Sequence, residues 1–363
     1  MKNILHITPN FNYTCGRSKL AFMYLKHFSA TKDFQIHFIT NGGDSLERLR
    51  EIPNLKYKQL NFSTGFKNIF HIRSFYKNLK SYLIKNKIGL IHTHHRFPEV
   101  AAVQIESELN VRTVTSAHSF VKGFKGWGFN SDKVIAVSNP VRNYLINKFE
   151  VSNERALTLY NPVEKLHQRD EASTNSFKAE KKITEENKII LFVGRLCRDK
   201  GFDKLIKAFE IIKVKDKNAI LIAVGQIEGN KKVYESFLER ERVIYIPPQK
   251  SIQSFYEISN LVVLPSRVEP LGYSMLEAGV HKKPFIGGNT GGIAEFIEDG
   301  INGLLVDPEN PQMLAEKIIY FLNNPHIERT MGEKLFEKVN RLCDYNSYFS
   351  EVEKIYNSLL TRE

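Results

Sequence analysis

Short continuous apolar runs alternate with longer amphipathic stretches along the whole chain. In the first half the runs Asn3–His6, Gln35–Thr40, Leu90–Thr93, Thr113–Ala117 and Lys133–Val137 read as strands. Helical spacing fills 17–30, 67–86, 98–109 and 140–148. The second half repeats the pattern, with strands at Ile189–Val193, Ala219–Val224, Val243–Ile246, Leu261–Leu264, Pro284–Ile286 and Leu304–Val306. Helices are expected at 201–213, 231–241, 252–259, 273–281 and 311–323. Uninterrupted Ile/Val/Leu/Phe runs suit parallel strands buried on both faces, and strands alternating with helices build right-handed crossover units. The pattern predicts two doubly wound α/β domains. Residues 165–188 are polar and charged and read as a linker with an exposed lead-in. From about 326 to 361 the chain reads as helical throughout.

Length supports the division, because 363 residues exceed one ordinary domain. No apolar run reaches the roughly 20 residues that span a bilayer. Met1 to Pro9 reads as a first buried strand and not as a secretory signal, so the expected location is the cytoplasm. Cys15, Cys197 and Cys343 are odd in number and far apart, which argues against a disulfide framework or a cysteine zinc site.

Charge adds an asymmetry. The net charge is +12, yet residues 1–165 hold 24 Lys/Arg against 11 Asp/Glu and residues 166–363 hold 28 against 29. Between Glu51 and Glu99 no acidic residue occurs, while Lys56, Lys58, Lys67, Arg73, Lys77, Lys80, Lys85, Lys87 and Arg96 do. Such a field favours an anionic partner: nucleic acid, a phospholipid surface or an acidic substrate.

Three stretches of the second half carry candidate chemistry. In Phe192-Val-Gly-Arg-Leu-Cys-Arg-Asp-Lys-Gly201 a strand ends at Gly194, and Arg195 and Lys200 precede a helix. A helix start offers unpaired amides and partial positive charge to phosphate, and the two cations could close on its oxygens; a surface turn with solvated cations is the other reading. In Pro265-Ser-Arg-Val-Glu-Pro-Leu-Gly-Tyr-Ser-Met-Leu-Glu277 two glutamates flank a turn that puts the amides of Gly272, Tyr273 and Ser274 at a helix start. A carboxylate can accept two hydrogen bonds at once, so Glu277 suits a ribose diol and Glu269 the hydroxyls of a sugar; otherwise they are a solvated helix residue and a turn residue. In Gly287-Gly-Asn-Thr-Gly-Gly-Ile-Ala-Glu295 and Asp299–Val306 the glycines permit close backbone approach to a ligand.

In order and spacing these stretches resemble the retaining glycosyltransferases of family 4, with the GT-B fold. The resemblance is specific from about 189 to 307, and its most telling parts are the Glu269/Glu277 pair and Arg195 with Lys200-Gly201. It implies two Rossmann-like domains facing across a cleft: residues 1–164 with 346–363 for the acceptor, 165–345 for the nucleotide sugar. The last helix is expected to return to the N-terminal domain. Arg195 and Lys200 would hold the donor diphosphate, Glu277 the ribose, and Glu269 with Leu271–Ser274 the donor sugar. The base would lie near Gly225 and Ile246–Pro247. His118, at the end of Thr113-Val-Thr-Ser-Ala-His118, resembles a strand-end histidine near the reacting carbon; a hydrogen-bonded structural histidine is the alternative. Where such enzymes carry paired glycines after the first strand, this chain has only Gly16, followed by Arg17, and these residues with His94 and His95 are expected on the acceptor side of the cleft.

His92, His94 and His95 form the tightest histidine cluster in the sequence, and two imidazoles without carboxylate or thiolate make a poor metal site. No Asp-x-Asp occurs, so no metal and no cofactor are expected, with UDP- or GDP-sugar as donor substrate. The stretch 66–86 combines an apolar helical stripe with a basic face, which reads as a core-facing helix or, additionally, as a peripheral contact with anionic lipid at the inner membrane face. With the basic half, it suggests a glycan or lipid-linked acceptor, as in bacterial envelope polysaccharide, lipopolysaccharide or glycoprotein assembly. A nucleotide-sugar epimerase of the same fold, a pyridoxal-dependent phosphorylase and a non-catalytic sugar-nucleotide-binding subunit remain alternatives. A nucleic-acid partner is not expected, because no binding motif for one is present.

Overall fold

The computed structural model describes residues 1–62, 69–123, 127–164, 171–229 and 231–361. The chain forms two compact units, Met1–Pro162 with Tyr345–Glu363, and Val163–Asp344.

The first unit contains β1 (Lys2–Thr8), α1 (Gly16–Ser29), β2 (Phe34–Thr40), β3 (Lys56–Gln59), α2 (Ile69–Lys85), β4 (Leu90–Thr93), α3 (Arg96–Leu109), β5 (Arg112–Ala117), β6 (Lys133–Ala136), α4 (Asn139–Phe149) and β7 (Ala156–Thr158). Its seven strands are all parallel, in the order β3-β2-β1-β4-β5-β6-β7. The second unit contains α5 (Glu171–Glu180), β8 (Lys188–Val193), α6 (Phe202–Lys215), β9 (Ala219–Val224), α7 (Lys231–Leu238), β10 (Val243–Ile246), α8 (Gln253–Ile258), β11 (Leu261–Leu264), α9 (Tyr273–Val280), β12 (Phe285–Gly288), α10 (Gly291–Phe296), β13 (Leu304–Val306), α11 (Pro311–Asn323) and α12 (Pro325–Leu342). Its parallel sheet runs β10-β9-β8-β11-β12-β13. Both sheets are doubly wound, as the strand pattern requires. In each, the order reverses at one point, between β1 and β4 and between β8 and β11. Crevices outside the carboxyl ends of strands at such points are where open α/β sheets bind ligands.

Local chemistry sets the helix starts. Ser138 accepts from the Val141 amide ahead of α4, whose first turn holds a proline, and Asn310 does the same for α11 through the Met313 amide. The last helix, α13 (Tyr345–Leu360), belongs to the first unit. Tyr348, Phe349, Val352, Tyr356 and Leu359 join its core beside Ile4, Tyr24, Phe28 and Leu90.

Residues 326–361 are helical, in two helices that part between Leu342 and Tyr345, the second belonging to the first unit. The polar stretch after 165 is not simply a linker: 165–170 lie outside the described residues, but Glu171–Glu180 is helical, Phe177 packs edge-on against Phe255, and Ile183 is buried. A single aromatic residue in ten, Phe177, was too sparse an apolar signal to reveal that helix. The glycine-rich stretch at 287–295 is a strand end followed by α10. Of the stretch 66–86, residues 66–68 lie outside the described residues. Phe75, Leu79 and Leu83 face the core with Phe62, Ile91 and Ala102, so α2 does carry a core-facing stripe.

Candidate active site

In the second unit the loops after β8 and β11 meet. Lys200 Nζ donates to Glu269 Oε2 at 2.5 Å, and Ser266 Oγ donates to the same oxygen at 3.2 Å. Glu269 is 4 % exposed, so its charge is compensated here almost without water. Gly201 makes the approach possible. Its φ is +71°, and a Cβ there would lie 1.9 Å from the Pro265 carbonyl oxygen. The turn that carries Glu269 is held from below by glycines. The Gly292 amide donates to the Glu269 carbonyl, and Cβ atoms at Gly288 and Gly292 would strike the backbone of Ser266 and Pro270. Gly288 and Gly292 thus serve close packing of backbone on backbone. Leu271 is buried, and α9 opens at Gly272 with no side chain capping it, followed by Tyr273 and Ser274.

Glu277, one turn into α9, accepts from Tyr256 Oη at 2.8 Å. Tyr256 is buried, and its hydroxyl is pushed well above the usual phenol range by burial and the adjacent carboxylate. On the far side of β8, Gly225 packs on Gly194: a Cβ at Gly225 would lie 1.9 Å from the Gly194 carbonyl oxygen. The Gly225 amide donates to Ile246, whose neighbour Pro247 is exposed. Arg195 is exposed and donates to Glu228 Oε2 at 2.6 Å. It is therefore bound to a carboxylate that the sequence reading did not single out, and not to either motif glutamate. The reading also missed Tyr256 and Arg267. Arg267 forks onto Asp203 at 2.6 and 2.9 Å and pairs with Glu309, tying the Glu269 turn to the start of α6. These partners come from elements far apart in sequence and have no local signature.

In the first unit His94, His95 and His118 gather with Arg17 and Arg96 around a small cavity at the β1/β4 reversal. Gly16 starts α1 just before Arg17. The His94 and His118 rings lie 5.7 Å apart. His95 caps α3, its Nδ1 accepting from the Phe97 amide. Burial and the Arg17 charge hold His118 down to about 3, and burial with Arg17 and Arg96 holds His95 at about 4. Both rings are neutral at pH 7.

The histidine cluster differs in membership from the one the sequence suggested. His6, not His95, joins His92 and His94, and their ligand atoms lie within 4.8 Å of one another, all buried. Parallel pairing places His6 opposite His92, a register that single-sequence reading does not give. His6 Nδ1 and His94 Nε2 lie 3.1 Å apart. His92 uses both nitrogens, on Tyr356 Oη at 2.5 Å and Ser116 Oγ at 2.8 Å. The His94 ring stacks on both others, at 17° and 21°. The trio is the group of described residues nearest to a metal-ligand set; His92 ties it to Tyr356 of α13, while His6 Nε2 and His94 Nδ1 have no hydrogen-bond partner among the described residues.

Residues 173–338 match the family Glycosyl transferases group 1, and residues 21–165 match Glycosyltransferase Family 4. An uncharacterized glycosyltransferase of Methanocaldococcus jannaschii is 30% identical over 345 residues, covering 90% of this chain and 91% of that protein. The capsular polysaccharide biosynthesis glycosyltransferase CapM of Staphylococcus aureus is 24% identical, covering 92% of each. Among solved structures, Anabaena HepE in complex with UDP and glucose superposes with a TM-score of 0.83 at 16% identity, covering 99% of this chain and 100% of that one. Two parallel-sheet units, the strand orders and these likenesses agree: the chain belongs to the family 4, group 1 glycosyltransferases, enzymes of GT-B fold.

Proposed function

We propose that this glycosyltransferase takes a sugar from a nucleotide-diphosphate sugar held by the second unit and passes it, with retention and without a metal, to a hydroxyl of a glycan or lipid-linked acceptor held by the first. The observation that carries the reading is the Lys200–Glu269 pair at the β8/β11 reversal, beside the uncapped start of α9. A cation and helix-start amides suit a diphosphate, and an adjacent buried carboxylate suits sugar hydroxyls. Lys200 and Arg195 stabilise the phosphate charge that grows as the anomeric bond breaks, the task a divalent ion would otherwise perform. Glu277, oriented by Tyr256, receives the ribose, and Gly225 with Ile246–Pro247 receives the base. Lys200 would exchange part of its bond to Glu269 for phosphate, freeing that carboxylate for the sugar.

The step breaks the bond from the anomeric carbon to the β-phosphate oxygen and forms one to the acceptor oxygen on the same face. The departing phosphate oxygen takes the acceptor proton, and nucleoside diphosphate leaves. No protein nucleophile is needed; Glu269 positions the sugar, and His118, neutral at pH 7, positions the substrates near the reacting carbon.

Uridine or guanosine is the base we favour, and uridine is supported by the nucleotide in the HepE complex. An envelope polysaccharide or related glycan as acceptor is supported by the name of the Staphylococcus relative and by the basic first half. Among the described residues no helix is long and apolar enough to cross a membrane. The exposed side of α2, with Lys77, Ile84 and Lys85, offers a basic surface to anionic lipid at the inner membrane face. The test is product analysis. Incubated with UDP-sugars, chelator and lipid-linked glycans, the protein should yield a product with the donor's anomeric configuration, read from its proton coupling. An inverted product, or turnover only after adding a divalent ion, contradicts the reading.

A further inference from the structure

The cavity of the first unit holds more cationic and donor capacity than it spends. The Nε of Arg17, Nη1 of Arg96, Nδ1 of His94 and Nε2 of His118 are all buried, and none has a hydrogen-bond partner among the described residues. All four side chains line the same cavity. Neither arginine has an ion-pair partner among the described residues, and no carboxylate lines the space. Glu99, the acid nearest in sequence, is fully spent on the amides of Phe129, Asn130 and Ser131. His94 is 1 % exposed, so its bare nitrogen costs stability unless something completes it.

The room is small. The cavity measures about 30 Å³. One water needs roughly 10–15 Å³ on this measure, so the oxygens of an anionic group fit and a sugar ring does not. The site is built and not accidental. The loop over Arg96 contains Gly128, with φ +104°, where a Cβ would lie 2.4 Å from Arg96 Cγ. Arg96 also lies 6.0 Å from the ring of Trp127. The 14-residue helix α3 begins at Arg96, so its N-terminal field adds to the two guanidinium charges.

We propose that Arg17, Arg96, His94 and His118 form a subsite for a phosphoryl or carboxylate group of the second substrate, so that the acceptor is an acidic one. The inference rests on the transferase reading and narrows its acceptor to molecules with an anionic group near the attacking hydroxyl. Forked N–H donors suit both oxyanions, and two neutral imidazoles can each supply a further donor.

Trp127 is the chain's single tryptophan and is half exposed, which supplies a probe. The whole chain is titrated with inorganic phosphate, and separately with glucuronate, at constant ionic strength, following tryptophan fluorescence. Saturable quenching is expected, weakened at least tenfold in Arg17→Gln and Arg96→Gln, and unchanged when UDP is present in excess. Response to phosphate alone assigns a phosphoryl group; response to both assigns either anion. Arg96 is packed under the loop, so thermal melting checks its variant, while Arg17 at the start of α1 is the variant least tied to the core. Binding unaltered in both variants overturns the proposal. So does displacement of phosphate by UDP, which would assign the cavity to the donor. Failure to bind any nucleotide, with phosphate binding intact, counts against the transferase reading and not against this subsite.

Discussion

Lys200 Nζ and Glu269 Oε2, 69 positions apart in the chain, meet at 2.5 Å where the second sheet reverses its strand order. Neither motif is a site alone; the parallel pairing of β8 with β11 makes them one. Lys200→Ala should leave Glu269 as a buried charge without its cation. The expected effects are a loss of about 3 kcal/mol in stability and a fall in turnover of about 100-fold or more. Lys200→Ala/Glu269→Gln should be more stable than the sum of the single changes, measured by denaturant unfolding. Strict additivity would show that the two side chains do not interact.

Tyr256 stands behind Glu277. Tyr256→Phe keeps the ring and removes the hydroxyl bonded to the carboxylate. Stability should fall by about 1 kcal/mol, and nucleotide-sugar affinity should drop several-fold as Glu277 loses its fixed orientation. Calorimetry with the donor measures this. Unchanged affinity would remove Glu277 from the ribose site.

Gly201→Ala tests the backbone approach that brings Lys200 to Glu269. At φ +71°, with the Pro265 carbonyl 1.9 Å from the new methyl, the loop must move. A stability loss above about 1 kcal/mol is expected, with donor binding weakened in parallel. Wild-type binding would mean that the Gly201 contact does not position the site.

Much of this was legible beforehand. Two doubly wound units follow from uninterrupted Ile/Val strands between amphipathic helices, and motif spacing picks out Arg195, Lys200, Glu269 and Glu277 as candidates, of which the fold brings Lys200 and Glu269 together. The return of α13 to the first unit was expected only through the family resemblance; its physical reason is the aromatic side of Tyr348, Phe349 and Tyr356. What spacing could not show was pairing between elements apart in sequence. His6 lies opposite His92, Tyr256 reaches Glu277, and Glu228 reaches Arg195. The strand β3 escaped notice because its four residues Lys56–Gln59 are exposed and polar.

Acid should weaken the first unit. Burial holds His6 at about 3 and holds His92 and His94 well below the ordinary range, whereas the unfolded chain titrates near 6.5. Below that value the unfolded state takes up protons that the folded state refuses. The stability is complete above about pH 6.5 and is lost as pH falls toward 3, by up to about 1.4 kcal/mol per pH unit for each histidine. Around the stack sit Arg17, His118, Tyr24, Tyr348 and Tyr356, none of which supplies an anion. Glu106 and Glu99 of the same unit, both raised mainly by burial and the first to about 7, oppose the trend. Comparison with His6→Gln cancels them: its stability should fall less steeply between pH 7 and 5 in denaturant titrations. Equal slopes would show that His6 is not refusing a proton.

The donor site is the centre of the account. Its most direct test is calorimetric binding of UDP-, GDP-, ADP- and CMP-sugars, in chelator, to the wild-type chain and to Arg195→Ala/Lys200→Ala. One nucleotide class is expected to bind without metal, and the double variant to lose this binding while staying folded. A folded wild-type chain that binds none of them, or a variant that binds as tightly as wild type, would contradict it.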